Sequence, residues 1–253
     1  MPNWTAHPVD LLSTVVPGLL GETSPWRVRL LSARDDFYAA QAALNVVQRH
    51  PVEHLIGRSY GNWLKHHRYP AGTAEDVSTG QSWYYHAHRS APNSALLGGV
   101  PEHGHFHTFV DAAAIAPCAK PIASPSRRRS RSDCVAHLVG LSIGENGIPL
   151  RIFALSRRTS DEMMFPVEAL LSHLHAFWTS ESAPHALTGR WLSAVLRLFE
   201  PEVCWLLAQR EHEQRRLNRH WLKSRLEFLQ PEILASCPAQ LEERLQLLDA
   251  VAP

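Results

Sequence analysis

Residues 83–111 have the sequence WYYHAHRSAPNSALLGGVPEHGHFHTFVD, and the pattern of this stretch indicates the central strands of the fold. It contains five of the sixteen histidines of the chain, and they stand in two alternating runs, HAH and HGHFH. Alternation is the period of a β-strand, in which residues two apart point to the same face. The two runs therefore predict two strands, each with histidines on one face.

If these strands pair, their histidines form one patch on the sheet. His86 and His88 belong to the first strand, and the second strand contributes His103, His105 and His107. Neutral imidazole is the commonest metal-ligating side chain, and residues two apart on a strand, about 6.5–7 Å at the backbone, can share one ion. The patch predicts a site for one transition metal, with zinc and iron both suited to such ligands.

Three further residues are candidates for this site. Glu102 is a candidate metal ligand, a hydrogen-bond partner of a ligand, or a general base. Arg89 directly follows the HAH run and is a candidate for binding an anionic substrate. His137 joins the patch if its strand lies beside the second histidine strand. Metal-assisted hydrolysis or oxidation is the chemistry that these residue types favour.

The patterns outside the histidine runs predict helices and a further hairpin. Residues 32–50 have helical apolar spacing, and residues 52–64 predict a second, shorter helix. Residues 134–143 and 149–156 alternate around an Asn-Gly turn and predict two antiparallel strands. From residue 161 onward the apolar residues recur at helical spacing.

These elements predict an α+β fold in one domain over residues 1–253. A helical N-terminal part covers residues 30–80. A small antiparallel β-meander of about four strands carries the histidines at residues 81–160. A helical C-terminal half covers residues 161–253 and packs on the sheet.

The composition argues against several classes of protein. The formal charge of +1 gives no field that recruits nucleic acid, and the basic run at residues 127–131 lacks interleaved aromatic residues. The N-terminus has neither a basic leader nor a long apolar run, which predicts no signal peptide and no membrane span. Four scattered cysteines form no C-x-x-C pair, which favours a soluble cytoplasmic protein with reduced thiols.

Residues 100–110, VPEHGHFHTFV, resemble the histidine-triad motif of a family of nucleotide hydrolases and transferases. The resemblance implies that His105 is a nucleophile that attacks an α-phosphate and that His103 and His107 support it. Glycine and threonine stand at two positions where the motif has apolar residues. Glu102 would also place a negative charge beside an anionic substrate.

Four segments of the chain, in order, resemble an uncharacterised bacterial family, a domain of unknown function: YYHAHR, EHGHFHTF, HLVGLSIGENGIPLRIFALSRR and RWLSAVLRLFEPEV. The resemblance starts near residue 69, reaches the C-terminus and brings no established activity. It implies that one unit is formed by His86, His88, Glu102, His103, His105, His107 and His137. An Asn and a Trp that the family has near residues 157–159 are replaced here.

Two interpretations without catalysis stay open. Histidines beside tyrosines on a sheet can form a structural hydrogen-bond network. The chain can also be a ligand-binding or partner protein without enzymatic activity, and the apolar faces of the C-terminal helices would then hold a protein partner or a second copy of the chain.

Overall fold

The computed structural model describes residues 15–57, 67–87, 102–125, 134–177 and 185–252. Within these ranges the protein combines helices with one antiparallel sheet, which confirms the predicted α+β class. Among these described helices, none is both long enough and apolar enough to cross a membrane.

Within the described residues, three helices precede the sheet: α1 (Val16–Leu19), α2 (Pro25–Val46) and α3 (Pro51–Ile56). Helix α2 starts earlier than the predicted residue 32, because the side chain of Ser24 accepts a hydrogen bond from the Trp26 amide and Pro25 suits the first turn. Pro51 begins α3. The rest of the predicted second helix, from residue 58 to residue 64, lies outside the described residues.

The sheet has six strands: β1 (Arg68–Asp76), β2 (Gln81–Ala87), β3 (Glu102–Asp111), β4 (Val135–Gly144), β5 (Pro149–Leu155) and β6 (Ile233–Pro238). Each strand pairs antiparallel with the next, so the sheet is a meander in the order β1 to β6. The four inner strands match the prediction. Both edge strands were missed, so the predicted helical parts at 30–80 and 161–253 each contain a strand.

The edge strand β1 was missed because residues 69–72, Tyr-Pro-Ala-Gly, have the composition of a turn. In the structure the pairing of β1 with β2 is irregular between Tyr69 and Ala74. Proline is tolerated at such an irregularity on an edge strand, where its missing N–H leaves no ladder bond unmade.

In the part of the chain that the structure describes, seven helices follow β3: α4 (Ala112–Ile115), α5 (Arg157–Ser160), α6 (Val167–His175), α7 (Ala186–Leu198), α8 (Glu200–Asn218), α9 (Lys223–Phe228) and α10 (Leu241–Ala250). The apolar residues predicted to face the core in α7, such as Trp191 and Val195, are buried. In the charged half of α8, Arg210 and Gln214 are buried as well.

The helices and one face of the sheet share a hydrophobic core. Trp83, Tyr85 and Phe106 point from β2 and β3 into this core, and the ring centroid of Phe106 lies 6.4 Å from that of Trp191 on α7. Because side chains alternate along a strand, the neighbours of these residues occupy the other face. That face carries the histidines.

Candidate metal centre

Histidines from the two runs converge on one side of the sheet. His86 on β2 pairs with His105 on β3, and the strand period puts His107 on the same face. The ring centroids of His86 and His105 are 5.5 Å apart, and those of His105 and His107 are 4.6 Å apart. One ring nitrogen from each of the three lies within 4.8 Å of the others. This cluster could hold a metal ion.

His103 points to the opposite face, so the prediction that it shares a face with His105 and His107 is wrong. Its ring stacks on Tyr85 with the centroids 5.9 Å apart. Its Nδ1 atom forms a hydrogen bond of 2.7 Å with the Tyr85 hydroxyl. His103 therefore belongs to the core side of the sheet.

A β-bulge at the start of β3 causes this reversal. Glu102 pairs with Gly144 and Gly104 with the residue next to Gly144, so β3 has one residue more than β4 over this interval. The extra residue breaks the alternation and puts Glu102 on the face of His105. A Cβ on Gly104 would lie 2.4 Å from the carbonyl oxygen of His86, so the close approach of the strands requires glycine here.

The carboxylate of Glu102 forms a hydrogen bond with the His105 ring. Its Oε1 atom lies 2.9 Å from Nδ1 of His105, and its carboxylate is only 4% exposed. Its Oε2 atom lies 3.8 Å from Nη2 of Arg151. A buried carboxylate needs such partners, and the hydrogen bond fixes the orientation of the His105 ring. With Nδ1 engaged, Nε2 is the nitrogen of His105 suited to a metal.

A second bulge brings His137 to the same site. The pairs of His107 with Gly140 and of Phe109 with His137 enclose one residue on β3 and two on β4. Without this extra residue, alternation would turn His137 away from the face of Gly140. Strand β4 neighbours β3, which was the condition for His137 to join the patch, and its Nε2 atom lies 3.0 Å from Nδ1 of His107.

His137 is neutral at pH 7. Burial, together with the nearby His107 and Arg210, lowers the pKa of His137 well below its ordinary value of 6.5. Arg210 donates from Nη1 to the carbonyl oxygens of His137 at 2.7 Å and of Leu138 at 3.1 Å. Burial lowers the pKa of Arg210 to about 10, so it stays a cation. A neutral His137 that carries its hydrogen on Nδ1 can accept a hydrogen bond at Nε2 from Nδ1–H of His107.

The histidines open onto a cleft of about 720 Å³ that was not foreseen from the sequence. Charged side chains from three parts of the chain line it: Arg68, Glu75, Glu162 and Glu232. The Arg68 guanidinium lies 4.3 Å from the ring centroid of Tyr84 on the cleft floor. Burial raises the pKa of Tyr84; the positive charge of Arg68 lowers this pKa and the negative charge of Glu162 raises it further. The residues that line the cleft are far apart in the sequence, and only the folded sheet and the segments beside it bring them together.

Two predicted site residues, His88 and Arg89, lie outside the described residues, as does the basic run at residues 127–131. The four cysteines are all described, and none forms a disulfide.

The model of a family described as Domain of unknown function (DUF6969) matches residues 12–238. The chain belongs to the DUF6969 family. Membership confirms the predicted relationship to an uncharacterised family, and the DUF6969 match begins well before residue 69. It includes all six strands and every residue of the candidate metal centre. No curated protein and no solved structure matches the chain.

Proposed function

We propose that this DUF6969 protein binds one divalent transition-metal ion through Nε2 of His105, Nε2 of His107 and a ring nitrogen of His86. Metal–nitrogen distances of about 2.0–2.1 Å put two tetrahedral ligands about 3.4 Å apart. One ring nitrogen of each histidine already lies within 4.8 Å of the others, so side-chain movements of about 1 Å bring three ligand atoms to these distances.

The hydrogen bonds behind two of these histidines are the observation that carries the proposal. Nδ1 of His105 lies against the Glu102 carboxylate, and Nδ1 of His107 lies against the neutral His137. The carboxylate accepts a hydrogen bond from Nδ1–H of His105, and His137 can accept one from Nδ1–H of His107, so both contacts fit the Nδ1–H tautomer of these rings. Metal-ligating histidines are typically held in this way, with the second nitrogen directed at the ion.

Three protein ligands leave at least one coordination position for a small molecule. A bound ion would supply a Lewis acid at this end of the cleft. The cleft, at about 720 Å³, is within the usual range for small-molecule sites. Imidazole ligands suit both zinc and iron, so both metal-dependent hydrolysis and oxidation fit the ligand set.

The contacts of Glu102 support an orienting role, and its role as a general base stays a prediction. The same is true of Arg89 as a substrate-binding residue. The histidine-triad hypothesis, with His105 as nucleophile, gains no support from the cleft. Among the described residues, three carboxylates and one guanidinium line the cleft, and this balance disfavours the α-phosphate that such a nucleophile would attack.

Metal titration of chelator-treated protein tests the proposal. We expect about one equivalent of zinc or cobalt in the wild type, and less than a tenth of an equivalent after replacing His86, His105 or His107 by alanine. His103→Ala is the matched control from the same sequence run and should keep the full equivalent. A folded wild type that takes up no metal, or a His103→Ala variant that loses it, would refute the proposal.

A second candidate function is partner binding through the C-terminal helices. Three large apolar side chains in and beside α9 are exposed: Trp221 at 87%, Phe228 at 74% and Leu229 at 68%. Exposed apolar groups of this size are typical of contact surfaces. Light scattering tests this candidate. A dimer that dissociates in the Trp221→Ser variant would support it, and a wild type that stays monomeric and copurifies with no other chain would oppose it.

A further inference from the structure

Arg151 lies in the same row of the sheet as the proposed metal ligand His105. His105 on β3 pairs with Ser142 on β4, and Ser142 pairs with Arg151 on β5. Directly paired residues of antiparallel strands project from the same face. Ser142 is fully buried and Arg151 is only 7% exposed, so the guanidinium stands within the sheet surface beside the candidate metal centre.

The contacts of Arg151 form a chain that leads to His105. Nε of Arg151 donates to Oγ of Ser142 at 3.2 Å. Nη2 of Arg151 lies 3.8 Å from Oε2 of Glu102, and Oε1 of the same carboxylate lies 2.9 Å from Nδ1 of His105. The guanidinium carbon is also 5.3 Å from the ring centroid of Phe153, which restricts its position.

We propose that Arg151 is a positioning residue for the metal, acting on His105 through Glu102. The inference rests on the proposed metal-binding function. The guanidinium attracts one oxygen of the buried carboxylate, and this leaves the other oxygen directed at Nδ1–H of His105. Without Arg151, the carboxylate can rotate or draw water into the sheet surface, and the His105 ring loses its fixed tautomer and direction.

A second buried arginine supplies a matched control. Arg244 is fully buried and pairs with Glu202, which is 3% exposed, and it also donates to the carbonyl oxygen of Leu198. Arg151→Met and Arg244→Met each leave a buried glutamate without its guanidinium. Both variants should therefore melt at a lower temperature, but only the first affects a residue that touches a proposed ligand.

Cobalt binding separates positioning from stability. We expect Arg151→Met to bind cobalt about tenfold more weakly than the wild type, with an altered visible spectrum, and Arg151→Lys to recover part of the loss. Arg244→Met should keep the wild-type affinity and spectrum. The inference is refuted if Arg151→Met binds like the wild type, or if Arg244→Met loses as much affinity. If Arg151→Met does not fold, Ser142→Ala replaces it with an expected loss of about threefold, and unchanged affinity refutes the inference.

Long-range ¹H–¹⁵N spectra of the metal-free protein give a second measurement. We expect His105 to be in the Nδ1–H tautomer in the wild type and in Arg244→Met, and to populate both tautomers in Arg151→Met. A wild type that binds no cobalt but shows this tautomer pattern would refute the proposed metal binding and leave only the positioning of His105 by Arg151. A wild type that binds cobalt, with no effect of Arg151→Met on affinity or tautomer, would refute this inference alone.

Discussion

Replacing Gly104 by alanine tests whether the bulge of β3 builds the candidate metal centre. The new Cβ would lie 2.4 Å from the carbonyl oxygen of His86, at least 0.6 Å short of the 3.0 Å that real Cβ atoms respect. The neighbour is backbone, so β2 must move away from β3. Such overpacking costs about 1–3 kcal/mol, and for a chain of this size the melting temperature should fall by about 2–12 °C. Because His86 moves with β2, metal affinity should fall as well.

Gly144→Ala is the control for this prediction. Gly144 pairs with Glu102 across the same bulge, but a Cβ on Gly144 would meet a side chain rather than backbone. It would lie 2.9 Å from Oδ1 of Asn146, which accepts a hydrogen bond from the Ile148 amide and can shift slightly within it. We expect the control to change stability by less than about 0.5 kcal/mol. Thermal melting by circular dichroism and cobalt titration measure both variants. If Gly104→Ala has the same melting temperature and cobalt affinity as Gly144→Ala, the claim that β2 and β3 approach too closely at the bulge for a side chain is wrong.

Three more predictions follow from local packing and charge. A Cβ on Gly140 would lie 2.2 Å from the ring of Phe153, so Gly140→Ala should displace that ring from the histidines. We expect both the melting temperature and the metal affinity to fall, and unchanged values would contradict this prediction. In the native protein a thiol reagent should modify the exposed Cys118 long before Cys204, because burial raises the pKa of the Cys204 thiol; similar rates would oppose it. Burial raises the pKa of Glu200, but hydrogen bonds from a histidine and an arginine outweigh it and hold the pKa below 4.5. The stability that Glu200 supplies is therefore present above pH 4.5 and is lost as the pH falls through its lowered pKa. Between pH 7 and pH 3, the urea midpoint of Glu200→Gln should therefore drop less than that of the wild type. An equal drop in both proteins would contradict this prediction.

The inner part of the fold could be predicted from the sequence because it depends on local periodicity. Alternation in β2 and β3 predicted one face of histidines, and in the structure His86 and His105 pair on that face while Tyr85 and Phe106 point into the core. The apolar spacing of α7 correctly marked its buried side. The edge strands β1 and β6 were not predicted, because residues 69–72 of β1 have the composition of a turn and the burial of the six residues of β6 does not alternate.

The sequence by itself determined that His105 and His107 share one face of a strand, since that follows from the strand period; it made the meeting of the two histidine runs conditional on the pairing of their strands. The tertiary structure decided which members of the site meet. A bulge is a mismatch in length between two paired strands, so no single strand's pattern contains it; one bulge removed His103 from the cluster, and another brought His137 in. Arg151 and Arg210 joined only because β5 and α8 pack beside these strands. The physical reason is that side-chain direction is set locally, whereas register and packing depend on residues far away in the chain.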